Sequence, residues 1–190
     1  DYSPSITEQE STARIIDESS AVAIMLAGGA LCNDAILEHT EKGFTSIGDP
    51  TEGALVVAAV RAGLWKEKLE NLLPRVGEIP FDSDRKRMTT VHEVSSPAGL
   101  PIAFQDLINS PEFNLGQSHL AITKGAVDGL LEVSNRLWTD NHIVPMDDHW
   151  LRRIQEANNE LAQKGMRVLG VAFRQCNQNH CSLPDLSLEQ

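Results

Sequence analysis

The chain has 190 residues, 41% of them hydrophobic and 23% charged. That balance excludes a disordered polypeptide and sets one domain with a sizeable core as the expectation. The 27 acidic residues outnumber the 16 Lys and Arg, and the resulting net charge of −11 argues against a general nucleic-acid binder, because phosphate contacts need a cationic surplus.

Asp1 to Ser11 is polar and carries no strand pattern or motif, so residues 1–12 read as a linker. A first helix is expected from about Ala13 into the late twenties, with Ile15, Val22 and Leu26 on one face. The apolar run within it, Ala21 to Leu31, is about half the ~20 residues that a membrane-spanning helix needs. Gly28-Gly29 loosens its end, and Ala30 to Leu37 is expected to add a further helical turn. Asp49-Pro50-Thr51-Glu52 is a stronger helix start, with an acceptor at the N-cap, Pro at the first helical position and Glu at the third. Leu55, Val56 and Ala59 then supply an apolar stripe, and the helix ends near Gly63. Leu64 to Leu73 reads as a short charged helix stopped by Pro74. Arg75 to Phe81 and Met88 to Val94 read as two strands joined by the polar turn Asp82 to Lys86, a hairpin. Ile102 to Phe104 and His119 to Thr123 read as further strands, with Asp106 to Gln117 as a loop between them. Gly125 to Val133 looks helical, and Met146 to Lys164 is the best amphipathic helix, with Leu151, Ile154, Ala157 and Leu161 on one face and Gly165 in the C-cap place. Arg167 to Phe173 is an apolar strand, and residues 175–190 read as a polar tail. Helices come first, then strands, with helices interleaved late. This order predicts an α+β domain over residues 13–174, with a mostly antiparallel sheet flanked by helices.

Most catalytic signatures are absent from this sequence. It contains no Walker loop, no dinucleotide Gly fingerprint and no Gly-x-Ser-x-Gly elbow. Cys176, His180 and Cys181 lack a fourth ligand at zinc spacing. His142, Asp147, Asp148 and His149 gather where a helix begins, and acidic residues there favour the helix dipole, so no metal is expected. Three irregularly spaced cysteines and an opening Asp-Tyr-Ser-Pro without secretory character favour a reducing compartment over a secreted disulfide scaffold.

Four segments carry the positive signal: Gly48-Asp49-Pro50-Thr51-Glu52-Gly53-Ala54-Leu55, Pro80-Phe81-Asp82-Ser83-Asp84-Arg85-Lys86-Arg87-Met88-Thr89, Thr123-Lys124-Gly125-Ala126 and Gly165-Met166-Arg167-Val168-Leu169. In this order and spacing they resemble the nucleotide-binding domain of P-type cation-transporting ATPases, most closely the type II branch that includes calcium pumps. The resemblance covers the chain from about Ala13 to Phe173, and Cys32-Asn33-Asp34-Ala35 also looks like the family's segment after an early helix.

The resemblance implies an ATP pocket on the sheet. Phe81 matches the aromatic that stacks on adenine, and Glu52 the acid that faces the adenine amino group. Lys124 matches the pocket lysine, and Arg167 the arginine that reaches the phosphates. Lys86 and Met88 match positions lining the pocket, and Gly125 the glycine beside the lysine, where a missing side chain lets the purine come close. The chemistry is sound on its own terms. A base stacked on an aromatic ring is worth roughly 1–3 kcal/mol. A carboxylate accepts from an exocyclic amine, and a few cations offset a triphosphate even on an acidic protein.

Each residue also has a plainer reading. Glu52 suits the third place of a capping box, Phe81 a core position at a strand end, and Arg85-Lys86-Arg87 a solvated turn. Lys124 suits a surface lysine, Gly125 a turn, and Arg167 a surface ion pair. Two positions depart from the family pattern. Ser83 stands where many relatives carry an arginine, which puts one phosphate or ribose contact in doubt unless Arg85 or Arg87 replaces it, and Val127 stands where many carry Pro.

No segment matches the Asp-Lys-Thr-Gly-Thr phosphorylation motif. The expected protein is therefore an excised cytoplasmic domain of an integral membrane pump. It binds ATP for an aspartate on a separate phosphorylation domain and is inactive alone. Its expected partners are ATP and the phosphorylation and actuator domains of its parent chain, with Mg²⁺ needed only by the full-length pump. The alternative is a non-catalytic acidic interaction module, for which a partner rich in Lys and Arg is expected.

Overall fold

A computed structural model of the chain describes residues 20–40, 43–111, 119–139 and 141–176. Its centre is a four-stranded antiparallel sheet with strand order β3-β4-β5-β8, formed by β3 (Arg75–Asp82), β4 (Arg87–Glu93), β5 (His119–Gly125) and β8 (Gly170–Cys176). One face of this sheet packs on the helices. Met88 on β4 and Leu120 and Ile122 on β5 join the main core, and Val171 and Phe173 on β8 pack against it. Alternation puts Val91, Ala121 and Cys176 on the other face, where Ile79 packs with them in a second, smaller cluster.

The main core is built around α1 (Ser20–Leu31), whose Ala23, Ile24, Ala27, Ala30 and Leu31 are buried. Gly28 lets this helix sit directly on β8, because a Cβ there would lie 2.6 Å from the Phe173 ring. Then follow the hairpin of β1 (Ile36–Thr40) and β2 (Gly43–Ile47), α2 (Pro50–Arg61) and α3 (Lys66–Leu72). The helix α4 (Ile102–Ile108) fills the core with Phe104, which meets Phe173 edge-on at 5.8 Å. The short α5 (Val127–Leu131), a second hairpin of β6 (Arg136–Thr139) and β7 (His142–Pro145), and α6 (Asp148–Gln163) lead to β8. Asp147 caps α6 by accepting the Trp150 amide. Gly165, at φ +75, closes it with a Schellman pattern in which the Met166 amide donates to the Leu161 carbonyl. Among the described residues no helix is long and apolar enough to cross a membrane.

The expected α+β class and antiparallel sheet are present, but several elements differ. Ile102 to Phe104 opens a helix instead of forming a strand. Ala103, Phe104, Leu107 and Ile108 are all buried, a spacing of one helical face that a three-residue apolar run does not reveal. Asp106 to Ile108 belongs to the same helix, and residues 112–117 of the expected loop lie outside the described residues. Leu31 ends the first helix, and Ile36 and Leu37 are strand, paired with Ile47 and Ser46. The early start at Ala13 falls outside the described residues. The last strand begins at Gly170, which leaves Arg167 on its approach, and it runs through Gln175 and Cys176, expected as tail. Cys176 is disulfide-bonded, whereas Cys32 is a free buried thiol. His180 and Cys181 lie outside the described residues.

Candidate functional site

Strand register brings the sequence-predicted residues to one end of the main sheet. Asp82 pairs with Arg87, Arg87 with Gly125 and Gly125 with Gly170. Phe81 and Lys124 stand one residue inside this rung on β3 and β5, and Arg167 lies three residues before it. Two strand spacings separate the Phe81 and Lys124 rows, about 10 Å.

A register shift between Ile79 and Asp82 interrupts β3 beside Phe81. Such bulges re-aim side chains, and Phe81 is 63% exposed, which rules out the plain core reading. The turn that follows is tied to Asp82. Its carboxylate accepts from the Asp84 and Arg85 amides at 3.0 and 2.8 Å, and its carbonyl accepts from Lys86 at 2.7 Å. The Arg85 amide is the main cause holding the Asp82 carboxyl below its ordinary range. Arg85 stays beside the aromatic, donating to the Pro80 carbonyl at 3.2 Å, while Arg87 reaches the Gly129 carbonyl at 3.4 Å. Lys86 is exposed and takes a left-handed backbone, φ +53.

Across the sheet end lies the start of α2. Asp49 caps it, accepting from the Thr51 and Glu52 amides at 2.8 and 3.3 Å, and Pro50 at the first position needs no donor partner. The Thr51 side chain, followed by the Thr51 and Glu52 amides, holds the Asp49 carboxyl low. The Glu52 carboxylate, however, turns toward the sheet and the loop after α1. One oxygen accepts from Lys124 Nζ at 2.6 Å and the other from the Asp34 amide at 3.2 Å. Lys124 is no surface lysine, since its side chain is 7% exposed against 19% for Glu52. Arg167 donates to Thr51 Oγ1 at 2.6 Å and, among the described residues, forms no ion pair with an acid. It borders a hollow of about 570 Å³ with Thr51, Lys124 and the apolar Met25, Leu55, Leu161 and Leu169. Phe81, Glu52 and Lys86 do not line that hollow. The polar geometry around Glu52 and Lys124 therefore defines the candidate site, and the hollow adjoins it.

Two residues stand differently from expectation. Met88 is 2% exposed and belongs to the core, where its carbonyl accepts the Cys32 thiol at 3.4 Å. It supports the strand from beneath. The space that Gly125 leaves is filled by protein: a Cβ there would lie 2.6 Å from both the Lys86 carbonyl oxygen and Arg87 Cβ. The same Lys86 carbonyl accepts the Ala126 amide at 3.0 Å. Gly125 thus lets the turn dock on β5. Gly125→Ala should cost about 2 kcal/mol by overpacking, read as a lowered midpoint in urea unfolding. Sequence reasoning gave no role to Asn33, Asp34 or Thr51, although the first two lie in the Cys32-Asn33-Asp34-Ala35 segment it singled out. Among the described residues, no three His, Cys, Asp or Glu side chains converge as metal ligands would.

Residues 21–189 match the family profile of the P-type ATPase cytoplasmic domain N. The chain belongs to that family. As an N domain it is similar to several whole pumps. It is 31% identical over 163 residues to calcium-transporting ATPase 1 of Bacillus cereus and 32% identical over 165 residues to cation-transporting ATPase pma1 of Synechocystis. Over 159 residues it is 31% identical to the calcium-transporting ATPase of Bacillus subtilis. These alignments cover 86%, 86% and 84% of the N domain but 16% of each relative, so the chain spans about a sixth of the length of the curated relatives it matches.

Proposed function

We propose that this N domain binds ATP across the end of its main sheet and presents the γ-phosphate to an aspartate on a separate phosphorylation domain of a cation-transporting pump. One observation carries the reading. Glu52 and Lys124, 72 positions apart in sequence, meet at 2.6 Å at the sheet end that also displays Phe81, 63% exposed. An exposed aromatic face, a fixed carboxylate acceptor and cations suit a purine, its amino group and a polyphosphate respectively.

In this reading Phe81 stacks on the adenine and Glu52 accepts from its amino group. Lys124 neutralises Glu52 and faces the nucleotide, while Arg167 and Lys86 attract the phosphates. Arg85, held beside Phe81, is better placed than Arg87 to stand in for the arginine that Ser83 lacks. Met88 and Gly125 act through packing, by supporting β4 and docking the turn. Mg²⁺ accompanies ATP in the full-length pump and is not held by this domain. The parent's cation is proposed to be calcium, on its similarity to the Bacillus pumps.

ATP should bind this chain at high micromolar to millimolar strength, about 4–6 kcal/mol, without hydrolysis and without need of Mg²⁺. Titration of a ¹⁵N-labelled sample is the test. Amides near Phe81, Glu52 and Lys124 should shift, and their constancy at several millimolar ATP would overturn the reading. Phe81→Ala should weaken binding by about fivefold to a hundredfold, from loss of roughly 1–3 kcal/mol of stacking.

A further inference from the structure

We propose that Asn33 is a positioning residue for nucleotide selectivity, holding the Glu52 carboxylate in the one orientation that accepts a purine amino group. The proposal rests on the adenine-facing role of Glu52 given above.

Asn33 is fully buried, and its amide side chain joins α1, α2 and the loop that leads into β1. Nδ2 donates to the Gly29 carbonyl in α1 at 3.1 Å and to the Glu52 carbonyl in α2 at 3.0 Å. Oδ1 accepts the Ala35 amide at 2.8 Å. This last bond closes an Asx turn, and the residue inside the turn is Asp34, whose amide donates to Glu52 Oε2 at 3.2 Å. Lys66 steadies the same loop from the other side, donating to the Asn33 and Ala35 carbonyls at 2.6 and 3.1 Å. Glu52 is therefore held at three points. Asn33 holds its carbonyl, the turn that Asn33 shapes holds one carboxylate oxygen, and Lys124 holds the other.

A cap for the end of α1 would need only the bond to Gly29. The second donor bond, to the backbone of Glu52, ties this loop to the site. A carboxylate that cannot turn keeps its free lone pairs in a fixed direction. Adenine offers a donor at the six-position and guanine an acceptor, so a fixed acceptor welcomes one and repels the other. A carboxylate free to swivel would move away from the guanine oxygen and lose that discrimination.

The test is the ratio of GTP to ATP dissociation constants, measured by NMR titration of this chain and of Asn33→Ser and Glu52→Gln. Serine retains a hydroxyl that accepts the Ala35 amide but is too short to reach the Glu52 carbonyl. Asn33→Ser frees the Glu52 backbone from its anchor and should reduce the ratio roughly tenfold, because the adenine amino group then loses an aligned hydrogen bond to the charged Glu52 carboxylate, with ATP weakened and GTP little changed. Glu52→Gln should also reduce the ratio, because its amide offers either a donor or an acceptor. If Glu52→Gln lowers the ratio and Asn33→Ser does not, Asn33 has no positioning role and the reading of Glu52 stands. If Glu52→Gln leaves the ratio unchanged, that reading fails and the proposal with it. Should Asn33→Ser not fold, the unaltered chain decides. The Asp34 amide and the Asn33 side-chain amide should shift on saturation with ATP and not with GTP, and equal shifts would overturn the proposal.

Discussion

Lys124→Met should lower the unfolding free energy of the domain by about 3 kcal/mol, and should weaken ATP binding as well. The lysine side chain is 7% exposed and its 2.6 Å bond to Glu52 crosses from the sheet to α2. Removing one member of a buried pair costs about 3–5 kcal/mol, because the remaining charge stays desolvated without its partner. Glu52 is 19% exposed and retains the Asp34 amide, so the lower end of that range applies. Glu52→Gln together with Lys124→Met should recover part of the loss, since the stranded charge is then gone. Urea unfolding of the four members of this cycle measures the coupling. Additive effects of the two substitutions would mean that the pair contributes nothing beyond its separate members. The double variant should regain stability without regaining ATP affinity, which separates the structural part of Lys124 from its part in the site.

That separation explains how the sequence was readable here. Segments with local signals were legible. Asp49 and Pro50 start a helix, Gly165 ends one, and the polar turn after Phe81 makes a hairpin. The hairpin of β1 and β2 was not legible because its apolar signal is only the short run Ala35-Ile36-Leu37 close behind a helix, and no tight turn dipeptide marks it. Ile102 to Phe104 was misread because three residues show no period. At the site, residue types and motif order indicated Glu52, Phe81, Lys124 and Arg167; strand register sets Phe81 and Lys124 at one end of the sheet, and the Glu52 contact brings α2 to it. The division of labour among them was not legible, because it depends on distances between remote segments. The capping box illustrates this. Asp49 does accept the Glu52 amide, yet the Glu52 carboxylate turns to Lys124 and Asp34. Gly125 is similar, since sequence allowed either a ligand or a backbone in the space it leaves, and the turn at Lys86 occupies it.

Mild acid should destabilise the domain by about 3 kcal/mol through His92 alone. The imidazole is fully buried. Its Nδ1 lies 2.8 Å from the Leu73 carbonyl, which only accepts, so Nδ1 carries the proton and Nε2 accepts from Thr90 Oγ1 at 2.9 Å. Burial pushes its pKa from 6.5 down to about 4; the Leu73 bond opposes this fall in part, and the nearby Arg75 and Lys66 charges add smaller lowering effects. Between those two values the unfolded chain binds a proton that the folded chain does not. The stabilisation is therefore complete above the unfolded value of 6.5 and is lost progressively as pH falls toward 4. A difference of about 2.5 pH units corresponds to about 3 kcal/mol. The carboxyls of Asp49 and Asp82, both held low, lose their contributions only as pH falls below the ordinary carboxylate value of about 4, so the windows separate. Urea unfolding at pH 7, 5.5 and 4.5 should show the decline in the unaltered chain and a flatter profile in His92→Gln, whose amide can still donate to Leu73. Identical profiles would mean that His92 accepts its proton in the folded state without penalty, and that the join it makes between the end of α3 and β4 survives protonation.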